Sequence, residues 1–104
     1  MPTQYLINTS FHADKGVVDA LRAEVAANFA SMATASGIFE DPIMANILVQ
    51  TEENVVSFTL QFKASDLNKA LQWIYQGEGG EYLASLSAKY GQRMAYFTTP
   101  MKIF

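Results

Sequence analysis

The sequence predicts a single α+β domain with the element order β-α-β-β-α-β. Three observations predict it. Short period-two stretches rich in β-branched and aromatic residues fall near 5–11, 43–50, 55–63 and 93–99. Two longer stretches between them carry apolar residues every three or four positions, and turn-forming residues mark the junctions. The chain has 104 residues, half of them apolar and 16% charged, which suffices for one core that offsets the entropy of ordering the chain. No repeat, linker or low-complexity stretch divides it, so residues 1–104 read as one domain.

Tyr5 to Phe11 places Tyr5, Ile7, Thr9 and Phe11 on one side and Leu6, Asn8 and Ser10 on the other, which predicts the first strand. Asp14 is a suitable N-cap for a first helix carrying Val18, Leu21, Val25, Phe29 and Met32 on one face, with Gly37 as its stop. Pro42 opens a second strand over Ile43 to Gln50, with Ile43, Ile47 and Val49 expected inward and Met44, Asn46, Leu48 and Gln50 outward. Thr51-Glu52-Glu53-Asn54 reads as a hairpin turn. The third strand, Val55 to Lys63, alternates Val56, Phe58, Leu60 and Phe62 against Ser57, Thr59, Gln61 and Lys63. Ser65 or Asp66 caps a second helix bearing Leu67, Ala70, Leu71 and Ile74. Gly77, Gly79 and Gly80 break that helix before it resumes through Tyr82, Leu83, Leu86 and Tyr90 and ends at Gly91. A last strand runs from Arg93 to Thr99, stopped by Pro100, and Met101 to Phe104 form an apolar tail.

This order, with an antiparallel hairpin between strands two and three, corresponds to the ferredoxin-like split βαβ sheet. Both helices then lie on one face, and strands one and three occupy the centre. Clean alternation in strand three fits a sheet covered on one side only. The other face is expected to mix Leu6, Met44 and Leu48 with amides and hydroxyls, while strand four adds either Met94, Tyr96 and Thr98 or Arg93, Ala95 and Phe97. Such a face is too polar for a dry core and too apolar for a freely wetted surface. It is therefore expected to pair with the same face of a second copy, forming a dimeric α+β barrel, unless the apolar tail folds back over it.

Composition argues several function classes down. A net charge of -3 and seven scattered basic residues disfavour nucleic acid and anionic membrane surfaces. Without cysteine there is no disulfide, thiolate nucleophile or Cys-ligated metal. The start, Met1-Pro2-Thr3-Gln4, lacks the basic end and apolar run of a signal peptide, and no apolar run approaches the ~20 residues that span a bilayer, so a cytoplasmic protein is expected.

The single histidine, His12, is a general-base candidate that reads more simply as a solvated residue bonding a turn. One histidine with Glu40-Asp41 and Glu52-Glu53 on turns makes a poor zinc set, and no metal or other cofactor is expected. Gly77-Glu78-Gly79-Gly80 lies between helical halves rather than after a strand, and its acidic residues would repel phosphate, so it reads as a helix break. No Gly-x-Ser-x-Gly elbow supports hydrolysis. Trp73 borders an apolar helical stripe and reads as core or interface packing. Asn8, Asn46, Gln61 and Tyr96 are candidate pocket residues if the open face holds a ligand, or interface residues if it holds a partner.

Asn8-Thr9-Ser10-Phe11-His12-Ala13-Asp14 resembles the Asn-Thr-x-Phe-x-x-Asp opening of a small bacterial family known as a domain of unknown function. Gln61-Phe62, Tyr90-Gly91 and Phe97-Thr98-Thr99 are similar as well. The resemblance implies a ferredoxin-like fold with no assigned activity. More distantly, the layout is similar to the dimeric α+β barrel superfamily, which includes cofactor-free monooxygenases and haem-degrading enzymes. For the haem-degrading branch it implies a first-strand asparagine, a second-helix tryptophan and a downstream histidine ligand. Asn8 and Trp73 match, but no downstream histidine exists, so the iron chemistry has no ligand here. The sequence assigns no function; the leading reading is a homodimeric domain, non-enzymatic or uncharacterised, with room for a small apolar or amphipathic molecule between its sheets. The rivals are a cofactor-independent oxygenase with Asn8, His12, Trp73 and Tyr96 around an aromatic substrate, and a metabolite-sensing regulatory module.

Overall fold

A computed structural model describes residues 3–49 and 52–104. Strands Tyr5–Asp14 (β1), Phe39–Asn46 (β2), Val55–Ala64 (β3) and Met94–Lys102 (β4) form one antiparallel sheet in the order β2-β3-β1-β4, with β1 and β3 central as expected. Between β1 and β2 the chain is helical at Val18–Glu24 (α1) and Ala30–Ala35 (α2), with a π-helical stretch, Val25–Phe29, joining them. Between β3 and β4 it forms Leu67–Tyr75 (α3) and Glu78–Tyr90 (α4). This is the ferredoxin-like α+β arrangement.

The core lies between the sheet and the helices. Ile7, Phe11, Phe58, Leu60 and Phe62 from the sheet are buried against Leu21, Val25, Phe29, Ala70, Ile74 and Leu83 from the helices. Phe11 and Phe58 stack at 5.0 Å, and Phe29 packs on Phe62 and Trp73. The aromatics of β3 therefore face the helices, as its alternation predicts. Trp73, buried among Phe29 and Phe39, is a core residue.

The glycine break is real, and its reason is packing. A Cβ on Gly79 would lie 2.4 Å from Trp73 Cζ3, and one on Gly80 would meet the Tyr75 carbonyl at 2.8 Å. Bare backbone at these two positions lets α4 turn back tightly against α3. Asp66 caps α3 by accepting from the Lys69 amide at 3.0 Å. Gly37, at φ 77, ends α2 as expected.

Several sequence expectations are corrected. Asp14 does not cap the first helix: it closes β1, and its Oδ1 accepts from the Gly16 amide at 2.7 Å, while Val17 stands at the helix start without a side-chain cap bond. The second strand begins at Phe39 and ends at Asn46, earlier than expected, and Pro42 lies inside it at a bulge. Gln50 and Thr51, placed above in strand and turn, lie outside the described residues. Finally, β4 runs through Pro100 to Lys102, because an edge strand tolerates a missing N–H on its outer side. The tail prolongs that strand, with the Ile103 amide donating to the Gln4 carbonyl at 3.0 Å, and does not fold back across the sheet.

The bulge has the largest effect. Glu40 pairs with Lys63 and Ile43 with Gln61, so β2 spends three residues where β3 spends two, and Asp41 takes φ 54 to allow it. One extra residue reverses the side-chain alternation beyond it. Ile43 is thereby put outward and is 56% exposed, whereas Met44 packs against the core. Ile47, Leu48 and Val49, expected in strand, follow it as an exposed apolar stretch held by the Ile47 amide to the Ser57 carbonyl at 2.9 Å.

Candidate functional site

The open face of the sheet follows from the register, since directly paired residues share a face. On β1 it presents Leu6, Asn8, Ser10 and His12, paired on one side with Lys63, Gln61, Thr59 and Ser57 of β3 and on the other with Met101, Thr99, Phe97 and Ala95 of β4. Ile43 and Ala45 of β2 continue it beyond Gln61 and Thr59. No helix covers this face. It carries Phe97 at 54% exposure beside hydroxyls and amides, the mixed surface that β3 alone predicts.

Its polar groups are already partly organised. His12 Nδ1 lies 2.7 Å from Ser57 Oγ, and the imidazole stacks on Phe97 with ring centroids 5.6 Å apart. Asn8 Nδ2 donates to Ser10 Oγ at 3.2 Å, and Ser10 is buried beneath its neighbours. Gln61 stands directly opposite Asn8. His12 thus lies within β1 near its end and pairs across the sheet with Ser57, rather than bonding the following turn as the sequence suggests.

Of the six candidates, the structure brings Asn8, His12 and Gln61 onto one face. Asn46, paired with Phe58, lies on the helix side beyond the bulge, where it borders a cleft of about 110 Å³ with Arg22, Met44 and Phe58. Tyr96, paired with Phe11, and Trp73 are also on the helix side. The oxygenase constellation of Asn8, His12, Trp73 and Tyr96 is therefore divided by the sheet within one chain. Ser57 and Phe97, which clasp His12, were not singled out as site residues. The pairing of His12 with Ser57 appears only once the β1–β3 register is known.

On the helix side, Glu24 gathers a second cluster at the start of the π-helical stretch. Lys89 Nζ and Tyr90 Oη each donate to its carboxylate at 2.5 Å, and Tyr82 Oη donates to its backbone carbonyl at 3.2 Å. The bonds from Lys89 and Tyr90 hold the Glu24 carboxyl below its usual range. Its carboxylate raises Lys89, and burial followed by the Glu24 bond raises Tyr90. These contacts tie α4 to the first helix. Among the described residues, no group of three or more His, Cys, Asp or Glu could hold a metal ion, and no helix is long and apolar enough to cross a membrane.

Solved structures share the fold at low identity. Protein SO0527 from Shewanella oneidensis aligns with a TM-score of 0.65 and 15% identity over 100% of this chain and 96% of that one. A hydroxynitrile lyase from Passiflora edulis aligns at 0.64 with 6% identity, over 97% and 95% of the two chains. A dimeric ferredoxin-like protein from an uncultured marine organism aligns at 0.54 with 14% identity, again over 97% and 95%. At these identities the likeness concerns fold alone, and the fold hosts unrelated activities. No curated protein matches the chain. A family model matches residues 4–104, nearly the whole chain, and the protein belongs to the family described as Domain of unknown function (DUF4286).

Proposed function

We propose that the chain works as a homodimer in which the open sheet faces of two copies pack together, with Asn8, His12 and Gln61 supplying the polar strip of the interface. The observation that carries this reading is the uncovered face itself, which holds Phe97, Ile43 and Met101 beside pre-paired polar groups. Four strands about 4.8 Å apart and about 30 Å long offer on the order of 600 Å² of flat area, more with side-chain relief, against roughly 800 Å² per partner in stable interfaces. At ~25 cal/mol per Å² of apolar surface, covering the face is favourable if the amides and hydroxyls find partners, and a second copy brings the same complementary set. The structural neighbour described as dimeric supports the reading by analogy.

A ligand between the sheets would now rest on Asn8, His12 and Gln61, because Tyr96 and Asn46 stand on the other side. The geometry favours assembly over a buried substrate there. Native mass spectrometry of the purified protein tests both points at once. The expected result is twice the chain mass without an added small molecule between the sheets. A single-chain mass at micromolar concentration would overturn the proposal.

A further inference from the structure

We infer that the cleft between β4 and the α3–α4 corner is a binding pocket for an uncharged, single-ring molecule carrying a hydroxyl group. The cleft holds about 350 Å³ and is lined by Ile74, Tyr75, Gly80, Leu83, Tyr96 and Thr98, with Phe97 at its edge. That volume is at the small end of ligand sites, enough for one ring and a short substituent.

The lining sets the ligand's chemistry. Ile74 and Leu83 are fully buried core residues, so the floor is apolar and firmly packed. No charged side chain lines the cleft, and an ionic ligand entering it would lose hydration without gaining a counter-charge. The other sizeable clefts differ on this point. Those beside Trp73 include Lys69 or Glu78, and the one at the end of β1 includes Asp14, Glu52 and Arg93.

Polar groups are few and separately placed. Tyr75 Oη donates to the Thr98 carbonyl at 3.3 Å, bridging from α3 to β4. Thr98 Oγ1 lies 2.9 Å from Thr9 Oγ1, which fixes the threonine side chain on the helix side of the sheet. Tyr96, whose ring is 6.3 Å from Phe11, has no hydrogen-bond partner for its hydroxyl among the described residues. As a lining residue whose hydroxyl is not engaged by the described residues, Tyr96 is the group assigned to exchange a hydrogen bond with a ligand hydroxyl, while the apolar floor takes the ring. Phe97 borders this cleft and also belongs to the open face, whereas Ile74, Leu83, Tyr96 and Thr98 lie on the helix side and take no part in the interface proposed above.

The test is a titration of the isotope-labelled protein with para-cresol, followed by amide chemical shifts, with benzoate as the charged comparison. Saturable shifts at Leu83, Tyr96 and Thr98 are expected for para-cresol and not for benzoate. Tyr96→Phe removes only a hydroxyl that bonds none of the described residues, so it should fold as the wild type does and weaken para-cresol about three- to tenfold, the loss of one net hydrogen bond. Repeating the titration on Thr59→Lys, which alters only the open face, separates this inference from the dimer: binding should persist whether or not the mass halves. Absence of saturable shifts at those amides, equal binding of benzoate, or an unchanged affinity in Tyr96→Phe would each overturn it.

Discussion

The two faces of this sheet are built from the same strands but follow different rules. Toward the helices, Ile7, Phe11, Phe58, Leu60 and Phe62 are buried and stacked, and the polar exceptions Thr9 and Thr98 satisfy each other. Toward the open side, apolar and polar groups are interspersed: Phe97 stacks on His12, Ile43 pairs with Gln61, and Leu6 stands between Lys63 and Met101. The first face is finished within one chain. The second is organised but uncovered. Covering an apolar surface and pairing a polar one are separate requirements, and the helix side meets the first within one chain while the open side does not.

Truncation should break the comparison most sharply. Phe58→Ala removes a fully buried ring that stacks on Phe11 and lies 5.5 Å beneath the Arg22 guanidinium, so chemical denaturation should show a loss of about 3–5 kcal/mol. Thr59→Ala, next along β3 but on the open side, should change the intrinsic stability of one chain by less than about 0.5 kcal/mol. A similar cost for both would mean that the open face is not open. Next in size is Gly79→Ala. Its new methyl would press on the Trp73 ring, and the same measurement should report a loss of about 1–3 kcal/mol with the fold retained.

Much of this sidedness can be read from residue order. The alternation of Val56 to Lys63 assigns both faces of β3, and the pairing of β1 then carries that assignment outward. Asp66, Gly37 and the Gly77–Gly80 break are similarly legible, because each does something a different residue could not do cheaply. The β2 faces were not legible. The bulge depends on Asp41 adopting a positive φ, with no glycine to announce it, and Ile47-Leu48-Val49 imitates a buried strand while lying exposed. The same gap misplaced Asn46. Tyr96 was ambiguous for another reason, since β4 carries apolar and polar residues on both parities and only its register with β1 decides. The π-helical turn at Val25–Phe29 has no local signature, and its carbonyl partner, Tyr82, is far away in sequence.

A smaller effect separates the helix layer from the sheet. Glu24→Gln should lower the melting temperature slightly at neutral pH by weakening the tie between α4 and the first helix. The sign follows from the shifts. Glu24 is lowered, so its contribution is present above the ordinary carboxylate value of 4.5 and is lost as pH falls through the lowered folded value. Lys89 and Tyr90 are raised, so theirs is present below 10.5 and 10.0 respectively and is lost as pH climbs through the raised values. The difference in melting temperature between wild type and Glu24→Gln should therefore be widest at intermediate pH and close at both extremes. A difference that does not vary with pH would show that the carboxylate contributes shape rather than charge.

The central claim is that a second copy completes the open face, and sedimentation equilibrium on two matched charge insertions tests it most directly. Thr59→Lys puts a cation in the middle of that face, whereas Ser87→Lys puts one on the exposed side of α4. The wild type and Ser87→Lys should both sediment at twice the chain mass, and Thr59→Lys should fall to a single chain with its melting transition still cooperative. A monomeric wild type, or a Thr59→Lys variant that keeps the doubled mass, would contradict the account.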